Sequence, residues 1–530
     1  MHTKLLLVGV LCSTTLASAF GSPLAINDAK RIPLEFEVLN GQRSRPYLGY
    51  KTLEDSDYEK EDSSWQFYDI SWYHSYNSSA PFGINDGGLW QGKGYQTSLS
   101  SGVRYDSPFF SFSFKPQLSF SQNLPFHYTK PLFTSGPAAT YGYYSTTGID
   151  APQRFGDDAF FFWDWGDSEV RLSYGPLTVG FGTEYLWLGP AMLNPLIHSN
   201  NAPGYPHLDL GITKTTLRLP WNGWYAGDFE MRAWWGYLTE SKYFDEDDAN
   251  NHNLISGMSV SWAWHDFAIT FNRIMLSRWD DKSAYTLWHV ATPPIVDIFF
   301  SGVGSSGGSD ESDSRASLCF DYLIPQAGLE LYLELGRNDY SPSIKYYLRY
   351  PFHTLAYTVG MRKSFTFSEQ YHGEVLLEVS NIEGSDDYLI TTHGRGWTSF
   401  YEHHRIRQGH TNQGQWLGAG VGTGGNSQYL AFRLYHPSGY ATFSVWRQNP
   451  DLGYSFSPAT NPGWADPDAE RHIRANMHFG VDTYQKLNDH LSLGLGAVYT
   501  YEWNPTNGQS HESFWRCCNL TGQLLLDYHW

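Results

Sequence analysis

The chain has 530 residues, a formal charge of -19, and aromatic side chains at 17% of positions, including 21 Trp and 37 Tyr. The acidic balance excludes DNA and RNA as partners, because phosphate binding calls for clustered Lys and Arg. Four cysteines, of which Cys319, Cys517 and Cys518 lie beyond the first twenty positions, make neither a disulfide framework nor a zinc-ligand spacing. Rings in this quantity suit the two interface girdles of a membrane barrel. They also suit sugar-stacking surfaces, and a large β-sandwich enzyme is the competing class.

In chain order, Met1 to Lys4 is a charged start, Leu5 to Leu11 a short apolar run, and Ala17-Ser18-Ala19 a small-residue cleavage site. Residues 1–19 therefore read as a secretory signal peptide. Leu11 is large where a lipoprotein signal ending at Cys12 wants a small residue. No later uncharged apolar run reaches the roughly twenty residues of a transmembrane helix. Residues 20–92 read as a periplasmic or plug-like segment: Leu53 to Ser64 is acidic and broken, and Trp65 to Tyr76 is aromatic.

From 93 to 530 a different rhythm takes over, with alternating segments of about ten residues separated by turns or polar loops. Leu329, Leu331, Leu333 and Leu335 alternate with Glu330, Tyr332, Glu334 and Gly336; Val375, Leu377 and Val379 alternate with Glu374, Leu376 and Glu378. Hairpins are expected at 95–105 with 108–120, 168–175 with 176–187, 206–219 with 223–239, and 254–265 with 266–278. Further on they fall at 314–324 with 328–338, 354–366 with 370–380, 427–436 with 439–448, and 472–486 with 490–504, before a last strand at 514–530. Tight turns on one side and long connections at 121–166, 240–253, 279–312, 381–426 and 449–470 on the other form the outer-membrane layout. The last strand alternates Leu520, Gly522, Leu524, Leu526, Tyr528 and Trp530 against Thr521, Gln523, Asp527 and His529. The expected fold is all-β: a transmembrane antiparallel β-barrel of about 16–18 strands with a small N-terminal periplasmic segment. The glutamate-bearing faces could line a wet lumen, although alternation alone does not fix which face points inward.

Several motifs match known chemistry in letters only. Gly304-Ser305-Ser306-Gly307-Gly308 fits G-x-S-x-G, but it sits in a Gly/Ser loop and not between a strand and a helix. Gly420 to Gly425 fits G-x-G-x-x-G, but a strand pattern follows it where a dinucleotide fold needs a helix. Glu402, His403, His404 and His410 lack a ligand repeat, and Asp245, Glu246, Asp247 and Asp248 read as a solvated loop tip before a Ca²⁺ site. Asp157 and Asp158 beside Trp163 and Trp165 combine carboxylates with ring faces, the chemistry of sugar binding. With Trp397 they are the candidate polysaccharide contacts, set against a plain girdle cluster.

Trp187-Leu188-Gly189-Pro190, then Leu196-Ile197-His198-Ser199-Asn200-Asn201-Ala202-Pro203, resembles the W-G-P-G…L-I-L-S-N-N-A-x-P-x-P stretch of the Wzi family of capsule-assembly proteins. Leu188 is inserted between the Trp and the Gly-Pro. His410-Thr411-Asn412-Gln413-Gly414-Gln415-Trp416-Leu417-Gly418, followed by Gly422, resembles that family's Y-T-H-x-G-x-x-L-G-x-x-x-G segment, with His410 and Asn412 in place of an aromatic and a His. Asn85 to Gly94, leading to Lys115-Pro116-Gln117, is a third similar stretch. The resemblance implies an outer-membrane barrel of about eighteen strands with a helical periplasmic N-terminal part, one that holds capsular or other surface polysaccharide by lectin-like binding and not by catalysis; no cofactor and no metal are expected. It also implies outer-membrane lipid as a partner, and barrel-assembly machinery engaging the strand that ends at Trp530. Trp187, Gly189, Pro190, Ser199, Asn200, Asn201, Pro203, Thr411, Gly414 and Gly418 are expected to fold into or beside the lumen, since Ser and Asn side chains bond their own backbone in turns. A porin-like transport channel for sugars or small solutes is the alternative, and a membrane-embedded hydrolase is a third reading with no Ser/His/acid spacing behind it.

Overall fold

The computed structural model describes residues 29–51, 53, 64–131, 133, 135–143, 149–279, 312–338, 348, 355–383, 400–403, 405–450, 473–506 and 516–530. The expected signal peptide, the G-x-S-x-G match, His404 and Trp397 lie outside the described residues.

A closed antiparallel barrel of eighteen strands accounts for most of them. Its first five strands are β1 (Ser64–Asn77), β2 (Gly94–Asp106), β3 (Phe110–Phe114 continued by Gln117–Ser121), β4 (Phe160–Asp164 continued by Glu169–Tyr174) and β5 (Leu177–Gly182). Next come β6 (His207–Arg218), β7 (Tyr225–Thr239), β8 (His252–Trp264), β9 (Phe267–Arg278), β10 (Ser312–Ile324) and β11 (Leu329–Asn338). The wall finishes with β12 (Leu355–Thr366), β13 (His372–Asn381), β14 (Asn426–His436), β15 (Gly439–Asn449), β16 (Ala475–Asn488), β17 (Leu491–Trp503) and β18 (Arg516–Tyr528). β3 breaks at Lys115-Pro116, where proline has no N–H for the ladder, and β4 breaks opposite it. Closure runs between β1 and β18, from Ile70 opposite Tyr528 to Asn77 opposite Thr521. No helix among the described residues is long and apolar enough to cross a membrane; the strands do the crossing.

The direction of the alternation is now fixed. Leu208 and Leu210 on β6 are each 45% exposed, while His207 and Asp209 between and beside them are 2% and 1% exposed. Leu331 and Leu377 face outward, and Glu330, Glu334, Glu374 and Glu378 face inward. Apolar rings crowd both outer rims: Trp65, Phe109, Tyr174, Trp221, Trp264 and Phe367 near the short turns, Tyr76, Tyr499 and Trp503 near the long connections.

Three expectations change. The boundary at 92/93 moves, because Ser64–Asn77 is a wall strand that pairs with both β2 and β18. Its ladder shifts register between Tyr68 and Ser71, so the outward rings change phase from Trp65 and Phe67 to Trp72 and Tyr76. A bulge of this kind adds a residue on one strand and breaks strict alternation. The segment 121–166, expected as one long connection, contains the first half of β4. And the lumen is not wet at its glutamates: Glu330, Glu334, Glu374 and Glu378 are at most 2% exposed.

What they meet is packed protein. Helix α1 (Arg31–Leu39) lies inside the short-turn end, with Phe36 stacked on Tyr435 of β14 at 4.0 Å. Its neighbour Lys30 reaches Asp69 at 2.6 Å. Around the helix, Arg362 bridges Glu330 (2.9 Å) and Glu374 (2.7 Å), and Arg45 bridges Glu330 (2.7 Å) and Asp321 (3.0 Å). Burial would raise the carboxyl of Glu35, but Lys51, Arg45, Arg31 and Arg362 together hold it well below the usual range. The largest apolar cluster also sits within the lumen: Leu186, Leu188, Leu196, Ile197, Tyr401 and Leu417 pack against Trp234, Ile255, Ile274 and Ala356 of the wall.

Candidate functional site

The middle of the lumen is sealed by two segments, 183–206 and 400–425. Wall carboxylates bind the first through its backbone. Glu378 accepts from the N–H groups of Met192 (2.7 Å) and Asn194 (2.8 Å) and from the Tyr332 hydroxyl (2.8 Å); Glu334 accepts from Leu196 N (2.9 Å). Buried backbone donors must be paired, so inward glutamates serve here as anchors for loop backbone.

The motif residues come together in that seal. Trp187 is fully buried and its indole donates to Ala191 O at 3.0 Å. Gly189 turns with φ +84°, where an added Cβ would lie 3.0 Å from Cys319 Sγ; only glycine takes that conformation without strain. Pro190 follows it at the turn. Ser199 donates its N–H to Leu417 O (2.7 Å) and its hydroxyl to Gly418 O (2.7 Å). Gly418 is close enough that a Cβ would fall 2.5 Å from Leu196 O. Asn200 O accepts from Gly87 N at 2.8 Å, and Asn201 Oδ1 accepts from Asn85 N at 3.1 Å. Pro203 O accepts from Asn412 Nδ2 at 3.0 Å, Thr411 donates to Gln408 O at 3.0 Å, and Gly414 lines a cleft above the seal. The third motif stretch, through Asn85 and Gly87, is thus stitched to the first.

Two imidazoles hold the seal together. His410 Nε2–H donates to Ile197 O at 2.7 Å, and His198 Nε2 pairs with the Tyr205 hydroxyl at 2.9 Å. Burial lowers both, His198 to about 3 and His410 well below the ordinary histidine value. Of the metal candidates, His403 Nδ1 accepts from Ile406 N at 3.0 Å. Among the described residues no group of three His, Cys, Asp or Glu could hold a metal ion. Asp245 to Asp248 close on themselves, with Asp245 Oδ1 accepting from Asp247 N at 3.0 Å.

Above the seal, at the long-connection end, lies a cleft of about 280 Å³ between segment 80–91 and the inner ends of β15 to β18. Rings line it: Phe82, Trp90, Phe126, Tyr128, Trp416 and Trp446. Amides interleave with them: Gln91, Gln153, Gln415, Gln448, Asn201 and Asn476. Trp446 and Phe82 flank His478 at 4.8 and 5.0 Å between ring centres. His478 is fixed by Thr500 Oγ1 (2.8 Å) and Gln448 Oε1 (3.2 Å). Arg474 donates to Glu502 Oε1 at 3.2 Å. Rings with convergent amides in a concave site can hold a polyhydroxylated ligand.

Of the candidate sugar contacts, Asp157, Asp158, Trp163 and Trp165 do not line that cleft. Trp163 and Trp165 are 49% and 56% exposed and meet edge to face at 5.9 Å. Trp163 pairs across the ladder with Leu118, also outward, so alternation places it on the outer wall. Asp157 binds Arg154 (2.6 Å) and the Tyr141 hydroxyl (2.9 Å), and Asp158 contributes its carbonyl to Asn123 Nδ2 at 3.1 Å. The cleft residues come from many separate segments and were not among the sequence candidates; Trp90 and Gln91, inside the third motif stretch, are the signal that could have pointed to it.

An eighteen-stranded barrel, sealed by its own loops and concave at the long-connection end, defines a binding barrel of the outer-membrane type. The family model for capsule assembly protein Wzi matches residues 77–512, and the chain belongs to that family. Among solved structures, it is similar to Wzi, an outer membrane protein involved in group 1 capsule assembly in Escherichia coli, described as a carbohydrate-binding β-barrel. That likeness has a TM-score of 0.54 at 12% identity, covering 86% of this chain and 84% of the other. The outer membrane protein OprD from Pseudomonas aeruginosa aligns with a TM-score of 0.41 at 9% identity, over 92% of this chain and 96% of that one. No curated protein matches by sequence.

Proposed function

We propose that this protein holds a surface polysaccharide at the outer face of the outer membrane by binding it, without catalysis, in the cleft at the long-connection end. Long connections face outward in bacterial barrels and short turns face the periplasm, which puts the cleft on the side where capsular glycan lies. The observation that carries the reading is the cleft's lining of rings and amides above a packed lumen. Rings cover the C–H faces of a sugar and amides take its hydroxyls. The Wzi of Escherichia coli, of the same family, is described as carbohydrate-binding. Outer-membrane lipid around the wall, and barrel-assembly machinery engaging the strand that ends at Trp530, complete the proposed partners.

Phe126 and Tyr128 sit on the cleft lip with ring centres 5.5 Å apart. The F126A/Y128A variant should lower glycan affinity by about tenfold or more, on the scale of roughly 1–2 kcal/mol per anchoring ring. It should also shed surface polysaccharide from cells while the barrel stays folded in a heat-modifiability gel. Unchanged glycan retention and affinity in a folded variant would sink the proposal.

A further inference from the structure

At the short-turn end, the hairpin of β6 and β7 reaches farther than its neighbours. β6 pairs with β5 only from His207 to Ile212, opposite Gly182 to Leu177, and β5 follows β4 through the turn at Gly175-Pro176. β6 then runs on beside β7 alone, from Thr215 opposite Phe229 to Arg218 opposite Tyr225. At about 3.3 Å per residue, that carries it roughly 20 Å past the β4–β5 turn. On the other side, Asp228 of β7 is level with Ala263 of β8, and β8 turns over right after Trp264. The tip from Leu219 to Trp224 therefore hangs below both neighbours, on the side that faces the periplasm.

Rings, backbone and charge meet on this overhang. Trp221 and Trp224 are 75% and 71% exposed, more than any other tryptophan among the described residues. The turn that holds them is closed: Leu219 N donates to Trp224 O at 2.9 Å, and Trp224 N donates to Asn222 Oδ1 at 3.0 Å. The edge of Thr215 to Arg218 that faces away from β7 has no strand on it among the described residues. From Leu210 to Gly227 the hairpin holds Lys214 and Arg218 and no carboxylate. Arg218 is exposed and donates to Gly223 O at 3.2 Å. We infer that this hairpin docks the peptidoglycan beneath the outer membrane, a chain of N-acetylated amino sugars that carries short acidic peptides. Trp221 and Trp224 cover sugar faces, as rings do in concave sugar sites. The open edge of β6 takes an extended peptide as an added strand, and Arg218 pairs with a peptide carboxylate. A polysaccharide without peptides leaves the edge unused, and a peptide without sugars leaves the rings in water. The rim ring of β8, Trp264, follows the Asp228–Ala263 pair by one residue, and both tip rings lie beyond that level, past the lipid interface that the rim marks.

The test sediments the full mature barrel, in detergent, with purified peptidoglycan sacculi. The wild type should co-sediment, and W221A/W224A should lose sacculus affinity by about tenfold or more, the scale of a pair of aromatic anchors. Arg218→Gln should lower it by about threefold at low salt and make it fall less steeply as salt rises. In solution, a disaccharide tetrapeptide released from sacculi should bind more tightly than an N-acetylglucosamine hexamer or the free tetrapeptide, because it alone meets rings and edge together. Both variants should keep the heat-modifiability of a folded barrel, and the cleft variant F126A/Y128A should sediment as the wild type does. A wild type that stays in the supernatant overturns the proposal, and so does a folded W221A/W224A that still sediments fully. Rings seated in the periplasmic leaflet would show as a double variant that loses stability in liposomes and keeps its sacculus binding, which overturns it as well.

Discussion

Among the described residues, two recesses of nearly equal size lie at opposite ends of the barrel, and they differ in chemistry. The cleft at the long-connection end measures about 280 Å³; the recess at the short-turn end measures about 300 Å³. The first is lined by rings and amides. The second is lined by ions that are already paired: Arg104 with Asp106 at 2.5 Å, Arg171 with Glu169 at 2.7 Å. Asp209, at the edge of that recess, binds Arg171 (2.7 Å) and Arg232 (2.6 Å) together. Volume therefore does not mark a sugar site; free hydrogen-bonding capacity beside flat apolar faces does. The charged recess is a clamp that fastens β4, β6 and β7 to one another where β4 is broken.

The comparison predicts opposite responses to mutation. Asp209→Ala leaves two buried guanidinium groups without their shared partner, a change that costs about 3–5 kcal/mol. The urea midpoint of the liposome-folded barrel should fall accordingly, while the fraction that remains folded binds glycan with unchanged affinity. An equal loss of affinity would mean that the two ends are one coupled site.

Between the recesses, the His198 and His410 layer should make stability depend on pH. Both imidazoles are lowered by burial, His198 to about 3, so the folded state keeps them neutral where the unfolded chain protonates near 6.5. The unfolded state then binds more protons, and stability is full above about 6.5 and declines as pH falls. For His198 the loss between pH 6.5 and 5 is on the order of 1–2 kcal/mol, and His410 adds to it in the same direction. His198→Gln should flatten that slope in urea titrations run across this range. A slope equal to that of the wild type would remove His198 from the account.

Legibility in the sequence divided along physical lines. β11 and β13 were readable because Leu or Val recurs at every second position with glutamates on the opposite face, and each strand buries one face regardless of its partners. β1 was not, since the register shift after Tyr68 puts its outward rings out of phase. The first half of β4 was hidden for a related reason: Phe160, Phe161, Phe162 and Trp163 are aromatic on both faces, so no alternation is visible. Gly189, Ser199 and Gly418 could be placed near the lumen from turn chemistry. The cleft could not be assembled, because Trp90, Tyr128, Trp416, Trp446 and Arg474 become neighbours only through closure of the barrel. Trp163 drew attention for its carboxylate neighbours, yet its partner Leu118 holds it on the outer face.

The smallest expected effect belongs to Trp530, at the end opposite the cleft. Its indole N–H donates to Tyr68 O at 2.9 Å, and its ring meets Phe67 at 5.8 Å and Tyr528 at 5.6 Å. Tyr68 is the residue at which the β1 register shifts, so its carbonyl sits where the ladder is interrupted. A phenylalanine would keep the ring contacts and lose the donor. Trp530→Phe should therefore cost about 1 kcal/mol, the net worth of one hydrogen bond, seen as a modest fall in urea midpoint. The short-turn end is where that fall should register, through faster hydrogen exchange at the paired amides of Ile70 to Tyr73, with glycan affinity unmoved. A loss as large as that of Asp209→Ala would mean that the indole bond holds the closure of β1 on β18 and does more than cap one carbonyl.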